Sequence, residues 1–328
     1  MTFANWAFQL SDFGAIEMIV ERRMNDRDLD LLACVERKRQ IVQVTVGLVA
    51  DGYVHASFFF GPGGHGKSHV IKHKLDQTIG VDRWQYSNSS MSPVALVNTL
   101  EEHPDRLHFF EDMEDVWKKA DAQGILRSAC GSPRGGPRII TWSRARQTRS
   151  FEFRGGIIIA SNEPLTNSGA IGAIASRFAP IEFALTPDEI AASIRAIALT
   201  GMTLKDQYVH PDEAIEVAEF VIDQMHAGNA NKVDLRTFCE HAIPRYVFYR
   251  QHPEQLHWKE MVRSILAGEA VVRSRAERLA EQRLIAVDCY RRGSNTKERL
   301  ALWTQMTGLS KQAFYDRLTE SGNSEIAN

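Results

Sequence analysis

With 328 residues, 44% of them hydrophobic and 24% charged, the chain is long enough for two or three domains, each with a sizeable core. A net charge of -2 excludes a global positive field, so any nucleic-acid contact must come from local basic patches. Cys34, Cys130, Cys239 and Cys289 have no C-x-x-C spacing, and neither a leader segment nor an apolar run of membrane length is present, so the expected location is the cytoplasm, with no zinc site, disulfide framework or membrane partner.

Residues 1 to 14 are apolar and aromatic with little period, which suits an arm that packs on a neighbour or a frayed end. From Ala15 to Val49 the apolar spacing predicts two or three helices with charged faces, and residues 1–40 read as an N-terminal helical arm or linker. The next stretch organises the chain: Phe58-Phe59-Phe60 has strand character, Gly61-Pro62-Gly63-Gly64-His65-Gly66 is a glycine-rich turn, and Lys67-Ser68-His69 opens a helix that Gly80 stops. This is G-x-x-x-x-G-K-[ST] in its required strand-turn-helix context, a phosphate-binding loop. Glycines let the backbone N–H groups curl around a polyphosphate, the helix adds its positive end, Lys67 reaches the terminal phosphates and Ser68 can hold Mg²⁺.

Tyr86 to Pro93 is a polar, turn-rich stretch that reads as a strand-to-helix loop, followed by an amphipathic helix through Val94, Leu96, Val97 and Leu100. Leu107-His108-Phe109-Phe110 is a short hydrophobic strand that delivers Glu111 and Asp112 beside the phosphates; Glu111 is assigned to the metal and Asp112 to the attacking water, with Glu114 a substitute for either. A helix over 115–130 then meets the breaker 131–137. Arg138 to Trp142 and Ser150 to Phe153 alternate with period two, a β-hairpin whose polar centre carries Arg144, Arg146 and Arg149, placed to grip a phosphate backbone or to face solvent or another subunit. Ile157 to Ala160 is a buried strand ending in Asn162, and Arg177 stands just before a further short strand.

In this order the parts resemble the AAA+ ATPases over residues 40 to 250: Walker A at Gly61 to Ser68, a Walker B-like strand ending in Glu111 and Asp112, sensor 1 at Asn162, an arginine finger at Arg177 and a sensor 2 arginine at Arg236. The usual acid order is Asp then Glu or Asp, from which Glu111 departs. His103 to Leu165 is similar to small ATP-binding proteins of phages and mobile elements, and the hairpin looks like the DNA-touching insertion that precedes sensor 1 in AAA+ and superfamily 3 helicases. The resemblance implies a three-layer α/β core with a parallel sheet over 41–185, a helical lid over 186–252 and a pore-facing option for the Tyr86 to Pro93 loop. It further implies ATP and Mg²⁺ as ligands and a homo-oligomer, a hexameric ring or a filament, in which Arg177 completes a neighbour's site.

The region 253–328 reads as helical, with mixed charge at helical spacing from Arg273 to Arg292. Asn295 to Leu318 resembles a DNA-binding helix-turn-helix: two capped helices around Gly308, with Lys311, Gln312, Tyr315 and Arg317 expected to face the groove. Action on DNA as a helicase, helicase loader or transposition regulator is the leading expectation. A remodeller of a protein partner and a nucleotide-gated DNA-binding scaffold with little turnover are the alternatives.

Overall fold

The structure, a computed structural model, describes residues 23–88, 90–113, 116, 119–131, 137–144, 147–165, 177–228, 233–269, 275–293, 295–307 and 309–320. They divide into two compact units, one running to Ile265 and one from Leu266.

The first described helix of this unit is α1 (Asp26–Ala50), a single uninterrupted helix within the stretch expected to be helical. No proline or glycine falls between Asp26 and Val46, so nothing there ends it. Asn25 caps it by accepting the Asp28 N–H at 2.8 Å. Five parallel strands follow: β1 (Ala56–Phe60), β2 (Trp84–Asn88), β3 (Leu107–Glu111), β6 (Ile157–Ser161) and β7 (Ala179–Glu182), in the order β2-β3-β6-β1-β7. β2 is a correction, since Tyr86, Ser87 and Asn88 belong to a sheet edge and not to the polar loop expected there.

Strands of a covered parallel sheet are apolar on both sides, and these are. Phe58, Phe110, Ile157 and Ile159 pack with α3 (Pro93–Glu102) and α4 (Ala120–Cys130) on one face. Phe59, Phe109 and Ile158, equally buried, alternate with them and turn to the other face, where α1 and α2 (Lys67–Ile79) pack together. The expected three-layer α/β core is therefore what the chain forms.

Between β3 and β6 the chain makes the expected hairpin, β4 (Arg138–Arg144) with β5 (Gln147–Phe153), longer than its apolar pattern because the pairing continues to Arg144 opposite Gln147. Buried Arg138 fixes its base, donating to Ala129 O and Gly155 O at 2.7 Å each and lying over the Phe153 ring. Beyond β7 come α5 (Pro187–Leu199), begun by a Thr186–Glu189 capping box, and α6 (Pro211–His226). Between them lies a small hairpin, β8 (Met202–Leu204) and β9 (Gln207–Val209), inside a region that the sequence reads as helix-rich.

A π-helical segment (Thr237–Ala242) leads into α7 (Ile243–Gln251), and α8 (Trp258–Glu269) carries the chain across the division. Trp258, at the start of α8, is buried edge-on against Phe220 and Tyr246 within the first unit. In the second unit α9 (Arg275–Arg292), α10 (Thr296–Thr307) and α11 (Lys311–Glu320) close on Ala286, Cys289, Trp303, Phe314 and Leu318. Among the described residues no helix is long and apolar enough to cross a membrane.

Candidate nucleotide site

The phosphate loop joins the C-terminal end of β1 to the N-terminal end of α2, and its backbone needs glycine at two close approaches. Gly61 (φ 141°) passes so near the Phe183 carbonyl that a Cβ would overlap it, and Gly64 (φ 77°) is as close to the Asp234 carboxylate. The second approach docks the later segment on the loop: Leu235 N–H donates to Gly64 O at 3.2 Å, and Asp234 Oδ1 caps the following turn by accepting Thr237 N–H at 2.8 Å. Lys67 is buried and bends back to donate to Gly61 O at 2.7 Å and Pro62 O at 2.8 Å.

The parallel sheet brings the carboxylates to the same end. Glu111, the last residue of β3, accepts from the Ser68 hydroxyl on one oxygen and the Tyr86 hydroxyl on the other, and the Lys72 ammonium stands 3.5 Å from it. Lys72 also lies 3.7 Å over the Tyr86 ring. Burial, and then the hydrogen bond and charge of Glu111, push the Tyr86 hydroxyl well above its ordinary pKa. Asp112 follows in the left-handed region (φ 52°), its N–H donating to Ala160 O at 3.3 Å, which turns its carboxylate towards Asn162 Nδ2 at 3.2 Å. The two acids are thus set apart, Glu111 beside Ser68 and Asp112 beside Asn162.

These groups line one cavity of about 640 Å³, together with Gly63, Gly64, Gly66, His69, Lys72, His73, Asn88, Arg236 and Glu240. Arg236 enters from the Asp234 segment and pairs with Glu240 at 3.4 Å, one turn into the π-helical stretch. His69 stacks on His73 with ring centres 6.0 Å apart. Three loop positions expected at the nucleotide do not line the cavity. Gly61 faces Phe183, Pro62 gives its carbonyl to Lys67, and His65 is a buried tie whose Nδ1 accepts the Leu185 N–H at 2.9 Å. Tyr86, Lys72 and Glu240 were not singled out in the sequence. The alternation Trp84, Tyr86, Asn88 next to Leu107, Phe109, Glu111 is the pattern that carries Tyr86 to the site.

Arg177 is exposed and does not line this cavity; it lies against Gly131 at the C-terminal end of α4. Glu114 and Arg146 fall outside the described residues, as does the side chain of Arg144. Arg149 is not at the hairpin tip: it donates to Asn98 Oδ1 at 2.6 Å and approaches Glu101 at 3.4 Å, which ties β5 to α3. In α11, Lys311 and Gln312 are exposed, Gln312 holding Asp316 at 2.9 Å, whereas Tyr315 packs on Phe314 and half-buried Arg317 donates to Gln282 at 3.1 Å and Glu320 at 2.7 Å. Two of the four residues expected to face a groove are therefore partly turned into the helical unit. Among the described residues no cluster of three His, Cys, Asp or Glu forms a ready metal site.

Strand order, loop and acids define a phosphate-loop α/β fold with a helical extension. No family model matches the chain, and no curated protein sequence matches it. Among solved structures it is similar to NtrX from Brucella abortus in complex with ATP (15% identity, TM-score 0.44, covering 87% of this chain and 68% of that one). It is also similar to Cdc6p from Pyrobaculum aerophilum (14%, 0.43, 91% and 86%) and to the Thermotoga maritima RuvB Holliday junction branch migration motor (13%, 0.34, 88% and 84%). At this level the likeness does not reach function.

Proposed function

We propose that this chain is an oligomeric AAA+ ATPase that binds ATP with Mg²⁺ in the β1–β3–β6 cleft, hydrolyses it and acts on DNA. One observation carries the reading: Lys67, Ser68, Glu111, Asp112 and Asn162, from the start of α2 and the ends of β3 and β6, line one cavity beside a glycine loop shaped for phosphates. The loop N–H groups and the start of α2 would bind the triphosphate, and Lys67 would exchange the carbonyls of Gly61 and Pro62 for phosphate oxygens. Ser68 and Glu111, already converged, fit the two protein ligands of Mg²⁺, which when bound neutralises phosphate charge. Asp112, oriented by Asn162, would accept the proton of the attacking water. Arg177, outside its own cleft, suits completion of a neighbour's site in a ring or filament.

A second reading, a nucleotide-gated scaffold with weak turnover, draws on Glu111 already receiving Ser68, Tyr86 and Lys72. The deciding measurement is the ATPase rate with and without single- and double-stranded DNA, repeated for Arg144→Ala/Arg146→Ala/Arg149→Ala. Stimulation by DNA that the triple variant loses supports action on DNA. Turnover with no DNA binding points to a protein remodeller, and DNA binding without turnover to the scaffold.

A further inference from the structure

Glu111 is held at its two oxygens by different elements. Ser68 and Lys72 lie four residues apart, so one face of α2 aims a hydroxyl and an ammonium at the same carboxylate. Ser68 donates to Oε1, whereas the Tyr86 hydroxyl donates to Oε2 and Lys72 Nζ stands 3.5 Å from that second oxygen. The Glu111 side chain is 17% exposed, and both groups on Oε2 are themselves fixed. The Tyr86 ring packs on Phe109, its partner across the β2–β3 pairing, with centres 5.6 Å apart. Trp84, edge-on to Tyr86, is tied to α2 by its indole N–H, which donates to Asp76 at 2.9 Å. Lys72 lies 3.7 Å over the Tyr86 ring, so ammonium, ring and carboxylate form one closed unit.

This arrangement bears on the choice of cation. A carboxylate with one oxygen engaged offers the other alone, which suits Mg²⁺, a small ion that takes single oxygens at octahedral positions. Ca²⁺ is larger, takes more oxygens and often claims both atoms of a carboxylate. To give Ca²⁺ both oxygens, Glu111 must release the Tyr86 hydroxyl and separate from the Lys72 charge. Resting on the assignment of Ser68 and Glu111 to the cation, we infer that Tyr86 and Lys72 are positioning residues that reserve Glu111 Oε2, restrict the carboxylate to one free oxygen and so select Mg²⁺ against Ca²⁺.

The test reads binding and not turnover. Full-length chain and a fluorescent, non-hydrolysable ATP analogue at fixed concentration are titrated with Mg²⁺ and separately with Ca²⁺. The ratio of the two half-saturating concentrations, Ca²⁺ over Mg²⁺, is compared among wild type, Tyr86→Phe, Lys72→Met and the double variant. Phenylalanine keeps the ring on Phe109 and methionine keeps the stem over that ring, so each removes one polar group from Oε2. Loss of the Lys72 charge draws both cations more strongly, and the analogue's own preference is common to every chain, so both effects cancel in the ratio. The ratio is expected to fall about tenfold in Tyr86→Phe, the worth of one hydrogen bond to a charged group, and further in the double variant. Ser68→Ala checks the premise, since it should raise the demand for both cations. If it raises neither, the cation lies elsewhere, and the assignment of Ser68 and Glu111 falls together with the inference. If it raises both while the ratio stays fixed in Tyr86→Phe and in the double variant, the inference alone is overturned.

Discussion

At the scale of single residues, Gly64 and Gly80 separate backbone strain from a specific collision. Both have positive φ, 77° and 82°, but a Cβ on Gly80 meets open space whereas one on Gly64 strikes Asp234. Alanine costs about 1 kcal/mol of strain at either site, and only at Gly64 must it also push the phosphate loop off the Asp234–Leu235 segment. Gly64→Ala is expected to weaken nucleotide binding about tenfold or more, measured by titration with a fluorescent ATP analogue, while Gly80→Ala leaves affinity unchanged. Equal affinities for the two variants would sink the idea. His108 makes a different residue-scale claim. It is fully buried between Phe110 and Phe153, its Nε2 bonds His103 O at 2.9 Å, and its Nδ1 has no partner among the described residues. Burial lowers its pKa to about 4. Above pH 6.5 the ring is neutral folded and unfolded, so it costs nothing; between 6.5 and about 4 only the unfolded chain takes the proton, and stability falls as pH falls. The loss approaches about 3 kcal/mol at pH 4. His108→Gln should flatten this part of the stability profile in urea denaturation between pH 7.5 and 4.5, and a profile parallel to wild type counts against it.

At the scale of elements, the β4–β5 hairpin is held by its base. Arg138, itself buried, donates to two backbone carbonyls, joining the end of α4 to the turn before β6, and its burial lowers its own pKa without removing its charge. Arg138→Ala leaves both acceptors unsatisfied and is expected to destabilise the chain by about 2–4 kcal/mol, and Arg138→Lys by part of that, because an ammonium cannot span both carbonyls as a planar fork does. Arg149, exposed and paired to Asn98 and Glu101, contributes under about 1 kcal/mol. Urea midpoints of the three variants check the order; an Arg149→Ala loss larger than that of Arg138→Ala would reverse it. This contrast also shows what the sequence can carry. The alternation of Ile140, Trp142, Phe151 and Phe153 predicts the hairpin, and the glycine loop with its flanking strand predicts the site. Nothing local distinguishes the buried arginine from the exposed ones. Tyr86 is hidden for a related reason: β2 is an edge strand with mixed polarity, so its period-two signal is weak, and its role depends on pairing with β3 some twenty residues away. His65 reads as a ligand by position in the motif, but only the fold places Leu185 against its ring.

At the scale of the whole molecule, the arrangement of one arginine turns the proposed chemistry into a statement about assembly. Lys67 lines the cleft of its own chain, and Arg177 does not. If Arg177 completes the site of a neighbour, Lys67→Ala and Arg177→Ala disable different partners of the same interface. Arg177→Ala alone should then bind ATP with near-normal affinity and lose most turnover, a fall of about 10³-fold or more where an arginine spreads charge on the transferred phosphoryl group. Lys67→Ala should lose both binding and turnover. Each variant alone is inactive, but an equal mixture forms some interfaces in which an intact Lys67 cleft from one chain faces an intact Arg177 from the next. Random assembly makes these about a quarter of all interfaces, so the mixture should recover up to about a quarter of wild-type activity. Recovery should rise with protein concentration along the assembly curve, read by sedimentation on the same samples. No recovery in mixtures shown to contain both chains in one oligomer would place Arg177 outside the reaction. Full turnover by Arg177→Ala alone would do so more directly, and would leave the cleft a site complete within one chain.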